Sequence, residues 1–94
     1  MGPVTVVHGV VGADGQVVSG AGFRVEKAGT GTYDVYFDGP FASAPTVVSV
    51  VCAADGGERQ TAVVRHRDRF GTRIVTCDDD GYYSDRGFAF TAMS

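Results

Sequence analysis

Apolar and polar positions alternate with a period of two along most of this chain, in short runs rich in Val, Phe, Tyr and Thr. That is the pattern of strands with one buried face. Val4–Val11 reads as a first strand, interrupted near Gly9 and Gly12. An Ala13-Asp14-Gly15 turn follows, with Gly15 suited to a positive φ. Phe23–Lys27 sets Phe23 and Val25 against Arg24 and Glu26, and Gly29-Thr30-Gly31 then turns the chain into Thr32–Phe37. There Tyr33, Val35 and Phe37 share a face. Prolines bracket the stretch from Asp38 to Pro45, which reads as a loop because proline cannot donate to a central ladder. Thr46–Ala53 is apolar on both faces, the pattern of a central strand covered on both sides, one of them by another subunit. Asp55-Gly56-Gly57 turns into Gln60–Arg67, and Asp68–Gly71 into Thr72–Cys77. Asp78–Arg86 is the longest polar loop, and Gly87–Met93 closes the chain with Phe88, Phe90 and Ala92 inward.

Six or seven short strands at about 8–12-residue spacing, with no helical run, predict an all-β fold: a small antiparallel β-sandwich forming one domain over 1–94. Two stretches echo each other, Asp14-Gly15 running into Gly22-Phe23 and Asp80-Gly81 into Gly87-Phe88. Both read as Asp-Gly turns feeding an aromatic strand, or as a pseudo-symmetric pair of edge hairpins. The doubly apolar Thr46–Ala53 adds an expectation of self-association. Composition agrees with the strand reading, since Gly is 14 of 94 residues while Leu, Trp and Asn are missing, a poor recipe for a helical bundle. No run approaches a membrane-spanning length, and the first residues lack the features of a signal peptide. A net charge of −3 speaks against nucleic acid as a partner.

Charge is uneven, and this is where candidate chemistry enters. Five arginines (Arg59, Arg65, Arg67, Arg69 and Arg73) stand against Asp68 alone, and Asp78, Asp79, Asp80 and Asp85 follow within a few residues. Arg65 and Arg67 share a strand face with Val63, where long stems cover apolar surface or planar forks meet phosphate, sulfate or carboxylate groups. No aromatic residue interleaves them, which argues against single-stranded nucleic acid. Asp78-Asp79-Asp80-Gly81-Tyr82-Tyr83 reads in several ways: a solvated turn, a sugar contact in which carboxylates accept from hydroxyls while a tyrosine faces the ring, a calcium loop, or a salt bridge between subunits. Its carboxylate spacing departs from that of calcium loops. His66 reads as an exposed strand histidine with Asp68 the one carboxylate nearby, and Cys52 as a buried inert thiol. Cys77 is placed to bridge Cys52 only if their strands face each other. No nucleophile–base pair is visible, so catalysis is not expected, nor is a metal or other cofactor.

Val35-x-Phe37-x-x-Pro40-Phe41-x-x-x-Pro45-x-Val47 resembles the strand, Pro-Phe, Pro, valine-strand segment of H-type lectin domains. The stretch Ile74-Val75-Thr76-Cys77, a polar loop, then Gly87-Phe88-Ala89-Phe90-Thr91-Ala92 is similar to their C-terminal end. Gly20-x-Gly22-Phe23-x-Val25 with Gly29-Thr30-Gly31-x-Tyr33-x-Val35-x-Phe37 also resembles head domains of bacterial and phage fibre proteins. The lectin resemblance implies a homotrimer and a galactose-type sugar held by Asp78, Asp79, Asp80, Tyr82 and Tyr83, with Arg65 or Arg67 reaching in from a neighbouring protomer. The loop has no Trp or His, so an acidic sugar suited to the arginines stands beside galactose as a candidate partner. The expected function is non-catalytic carbohydrate binding in adhesion, outside the cell or on a virion or cell surface. The alternative is a trimerisation head of a fibre protein with no ligand of its own.

Overall fold

The computed structural model describes residues 5–52 and 60–94. Eight strands run β1 (Val6–Val11), β2 (Val17–Ala21), β3 (Phe23–Gly29), β4 (Thr32–Phe37), β5 (Thr46–Val51), β6 (Thr61–Arg67), β7 (Gly71–Cys77) and β8 (Phe88–Met93). They form two four-stranded antiparallel sheets, in the orders β2-β1-β8-β5 and β3-β4-β7-β6. The expected all-β sandwich is present, with eight strands rather than six or seven. The extra strand is β2, whose five residues are all exposed and therefore show no alternation. The Asp55-Gly56-Gly57 turn lies outside the described residues, as do the first position of the Val4–Val11 reading and the last of Thr46–Ala53.

The two inner faces meet through aromatic rings. Phe88, Phe90, Ala92 and Val11 from the first sheet pack on Phe23, Tyr33, Val35, Phe37 and Ile74 from the second. Phe23 meets Phe90 edge-on at 4.8 Å between ring centres, and Tyr33 lies against Phe88 at 5.0 Å. Edge and tilted contacts of this kind add to the burial of the rings themselves. Tyr33 is fully buried yet keeps its hydroxyl satisfied by donating to the Ala13 carbonyl at 2.6 Å. Burial, helped by the Asp85 carboxylate, raises that hydroxyl above its ordinary pKa. The chain passes between sheets at Gly22, where a φ of 91° turns β2 into β3 with one intervening residue. It returns through the proline loop, which tucks Phe41 against Phe37 at 5.0 Å.

Two expectations are corrected. β5 is not a central strand: it pairs with β8 alone and forms one edge of the first sheet. Its Val47, Ser49 and Val51 turn inward and are half-buried, while Val48 and Val50 are 60% and 57% exposed. Cys52, just past this strand, is exposed rather than buried. Cys77, at the end of β7, is buried, and both thiols are free.

Candidate functional site

The site begins with a turn. Asp68 stands between β6 and β7, and its Oδ1 accepts from the backbone N–H groups of Phe70 (2.8 Å) and Gly71 (3.0 Å). Its own N–H donates to the Gly71 carbonyl at 2.9 Å, which closes the hairpin. The second carboxylate oxygen pairs with His66 Nε2 at 2.9 Å. One aspartate thus shapes the turn and fixes an imidazole, and these hydrogen bonds, the His66 one foremost, hold its carboxyl below the usual range. The turn leaves Phe70 59% exposed at the rim.

Gly71 begins β7 opposite Tyr36 of β4. A Cβ at this position would run into the Val35 carbonyl oxygen, so no side chain fits. Gly71 is part of the lining of an open groove of about 510 Å³ on the outer face of the second sheet. That volume falls within the range of small-molecule sites. Tyr36 walls one side, and the guanidinium of Arg24 sits 4.3 Å from its ring centre. Desolvation, with the Asp34 and Glu26 carboxylates, raises the Tyr36 hydroxyl pKa, so it stays a neutral donor and acceptor at physiological pH.

Two pairs along the same ladder, on the same face, Arg73 donates to both carboxylate oxygens of Asp34, at 2.7 and 2.9 Å. This fork-on-fork contact lowers the Asp34 carboxyl and raises the Arg73 guanidinium from their ordinary pKa values. Arg65 also lines the groove, at the bulge where the β6–β7 register shifts between Val64 and His66. Among the described residues it has no hydrogen-bond or ion-pair partner.

The residues singled out in the sequence fall in three places within the chain. Arg65 lines the groove, whereas Arg67 donates through Nη1 to the Pro45 carbonyl at 3.1 Å, away from it. Asp78, Asp79, Asp80, Tyr82 and Tyr83 lie beyond the far end of β7, about 20 Å from Gly71 at the usual rise per strand residue. There Asp78 Oδ1 accepts from the N–H groups of Asp80 (2.9 Å) and Tyr82 (3.0 Å), folding the acidic run into its own turn around a left-handed Gly81. Tyr82 and Tyr83 are 73% and 52% exposed. Asp85 ties the loop to the β3–β4 turn, accepting from Gly31 N–H at 2.7 Å and meeting Lys27 Nζ at 3.0 Å. The Gly31 bond is the main reason its carboxyl titrates below the usual range. Among the described residues, no three carboxylate, imidazole or thiol side chains converge as a metal site.

Sequence reasoning missed Tyr36, Phe70 and Gly71. Tyr36 was legible as an outward position beside Val35 and Phe37, but the gap above Gly71 is visible only once β4 and β7 are paired. Compared with family models, curated proteins and solved structures, the chain matches none.

Proposed function

We propose that this domain is a non-catalytic, lectin-like carbohydrate-binding module that takes a saccharide in the groove over Gly71. The observation that carries the reading is an open groove lined by two aromatic residues and by polar groups already fixed by partners. Sugar rings present C–H faces that suit Tyr36 and Phe70, and hydroxyls that suit carboxylate, imidazole and guanidinium groups. Groups held in place beforehand lose little freedom on binding, which matters in a shallow site. Arg65, without a hydrogen-bond or ion-pair partner among the described residues, favours a ligand bearing a carboxylate or sulfate over a neutral one.

Two further readings keep their own support. The exposed Tyr82 and Tyr83 suit a second sugar contact at the acidic loop, completed by an arginine of another protomer as in the lectin resemblance. A structural head without a ligand is favoured by the outer face of the first sheet. There Val6, Val10, Val48, Val50 and Met93 meet His8, Ala89 and Thr91, with no Asp, Glu, Lys or Arg among them. The expected homotrimer rested on a doubly covered central strand as well as on resemblance, and with β5 at an edge only the resemblance supports three copies.

A glycan array followed by calorimetry tests the groove. Tyr36→Ala and Phe70→Ala should each weaken binding by several-fold to about tenfold, the worth of one stacking contact, while Tyr83→Ala leaves it unchanged. Loss of binding in Tyr83→Ala alone moves the site to the acidic loop. No saturable signal from the wild-type protein returns the reading to the structural head.

A further inference from the structure

One irregularity of β6 decides what the groove can hold. In a regular strand, neighbouring side chains go to opposite faces, which would part Arg65 from His66. The β6–β7 ladder instead slips between Val64 and His66. Val64 pairs with Ile74 and His66 with Arg73, which leaves Arg65 as the inserted residue of a bulge. Arg65 and His66 therefore both line the groove, while Arg67 turns away to the Pro45 carbonyl. Bulges commonly re-aim a side chain at a binding site in this way.

The partner of His66 fixes what its ring can offer. An ionised carboxylate only accepts, so the bond between Nε2 and Asp68 places a hydrogen on that nitrogen. Nδ1 is then a bare acceptor in the neutral ring and becomes a donor when the ring is protonated. The charged groups around it hold still meanwhile. Asp68 on the turn and Asp34 on β4 have lowered carboxyl pKa values, whereas Arg73 on β7 and Tyr36 on β4 have raised ones. Arg65, Arg67 and Arg69, on β6 and the turn, stay cationic at any ordinary pH. Arg65 and Arg73 of the lining balance Asp34 and Asp68, so protonating His66 takes the lining from neutral to a single positive charge. Histidine is the side chain that makes such a change between about pH 5 and 8.

We infer that the β6 bulge forms an anion subsite of the groove, where a carboxylate or sulfate of the saccharide lies between the Arg65 guanidinium and the Nδ1–H of protonated His66. The inference rests on the saccharide reading of the groove and adds to it a pH dependence of definite sign. Charged glycans gain a charge-assisted donor as pH falls. Neutral glycans lose an acceptor for their hydroxyls and gain nothing from the charge, so their binding stays level or weakens.

The test is a glycan array holding each core in neutral, carboxylated and sulfated forms, with lactose, sialyllactose and sulfated lactose among them. It is read from about pH 8 to about pH 5 and followed by calorimetry. At least one charged form should bind about three- to tenfold more tightly at the acid end, its neutral form level or weaker. Which charged form responds identifies the anion. His66→Gln keeps a donor for Asp68, and should remove the pH dependence while leaving binding at the alkaline end close to wild type. Arg65→Ala should weaken the charged form about tenfold at both ends and leave the neutral form unchanged. His8→Gln, on the first sheet, should change neither. Melting curves at both ends check that each variant is folded. Binding of a neutral glycan that falls in Tyr36→Ala, with no gain for its charged forms on acidification, overturns the subsite and leaves the groove reading standing. A pH dependence that survives His66→Gln, or a charged form untouched by Arg65→Ala, overturns the subsite as well. No saturable binding of any glycan removes the groove reading and the subsite together.

Discussion

Gly71 and Gly29 both begin or end strands, yet a methyl group should act on them in opposite directions. At Gly71 the added carbon meets the backbone oxygen of Val35, which cannot move without opening the β4–β7 ladder. Gly71→Ala should therefore lower stability by about 1–3 kcal/mol, the usual cost of overpacking. At Gly29 nothing lies within 4 Å and φ is not positive, so Gly29→Ala should leave stability level or raise it by a few tenths of a kcal/mol. Urea unfolding of the two variants checks both signs. Asp85 gives a second test at this scale. Its folded-state pKa is depressed, so its contribution is present above the unfolded value and lost as pH falls through the folded one. Asp85→Asn should cost about 0.5–1 kcal/mol at neutral pH, screening included. The gap to wild type should close as pH falls through the depressed native pKa, where the native carboxyl is protonated too. Melting curves from pH 7 downward should show that convergence, and a constant gap would mean that shape rather than charge carries the contact.

Strands with one face in the core were legible because their side chains obey the period of two. β4 alternates half-buried and buried residues along its whole length, and β8 does so through Phe88, Phe90 and Ala92. β2 was illegible for the complementary reason: with both faces exposed, nothing imposes a pattern on Val17-Val18-Ser19-Gly20-Ala21. The sequence of β5 announced two apolar faces, but composition cannot distinguish a strand in mid-sheet from an edge strand with one apolar face left uncovered. The cysteines follow from these placements. Cys52 follows the edge strand and is exposed, whereas Cys77 ends the interior strand β7 and is buried. An alkylating reagent should therefore modify one thiol per native chain and both in denaturant, read by intact mass. A reducing agent should leave the melting temperature unchanged.

Across the whole molecule, the groove draws on β4, β6, β7 and the turn at Asp68, with positions from 34 to 73 brought side by side by strand order. Arg65 was visible beforehand because charge runs are local in sequence. The rest of the lining was not, since it combines residues of two strands far apart in the chain, such as Tyr36 and Gly71. The same order has an electrical consequence. Arg65 and Arg67 of β6, Arg69 of the turn and Arg73 of β7 lie toward the start of β7, and the loop that holds Asp78, Asp79, Asp80 and Asp85 follows its far end. The net charge of −3 is therefore unevenly spread, with these arginines toward the groove end of that strand and these carboxylates at or beyond its other end. In the field of an anionic surface such a body feels a torque before it feels contact, and it turns the groove end forward. That orientation operates within about a Debye length and fades as salt is added.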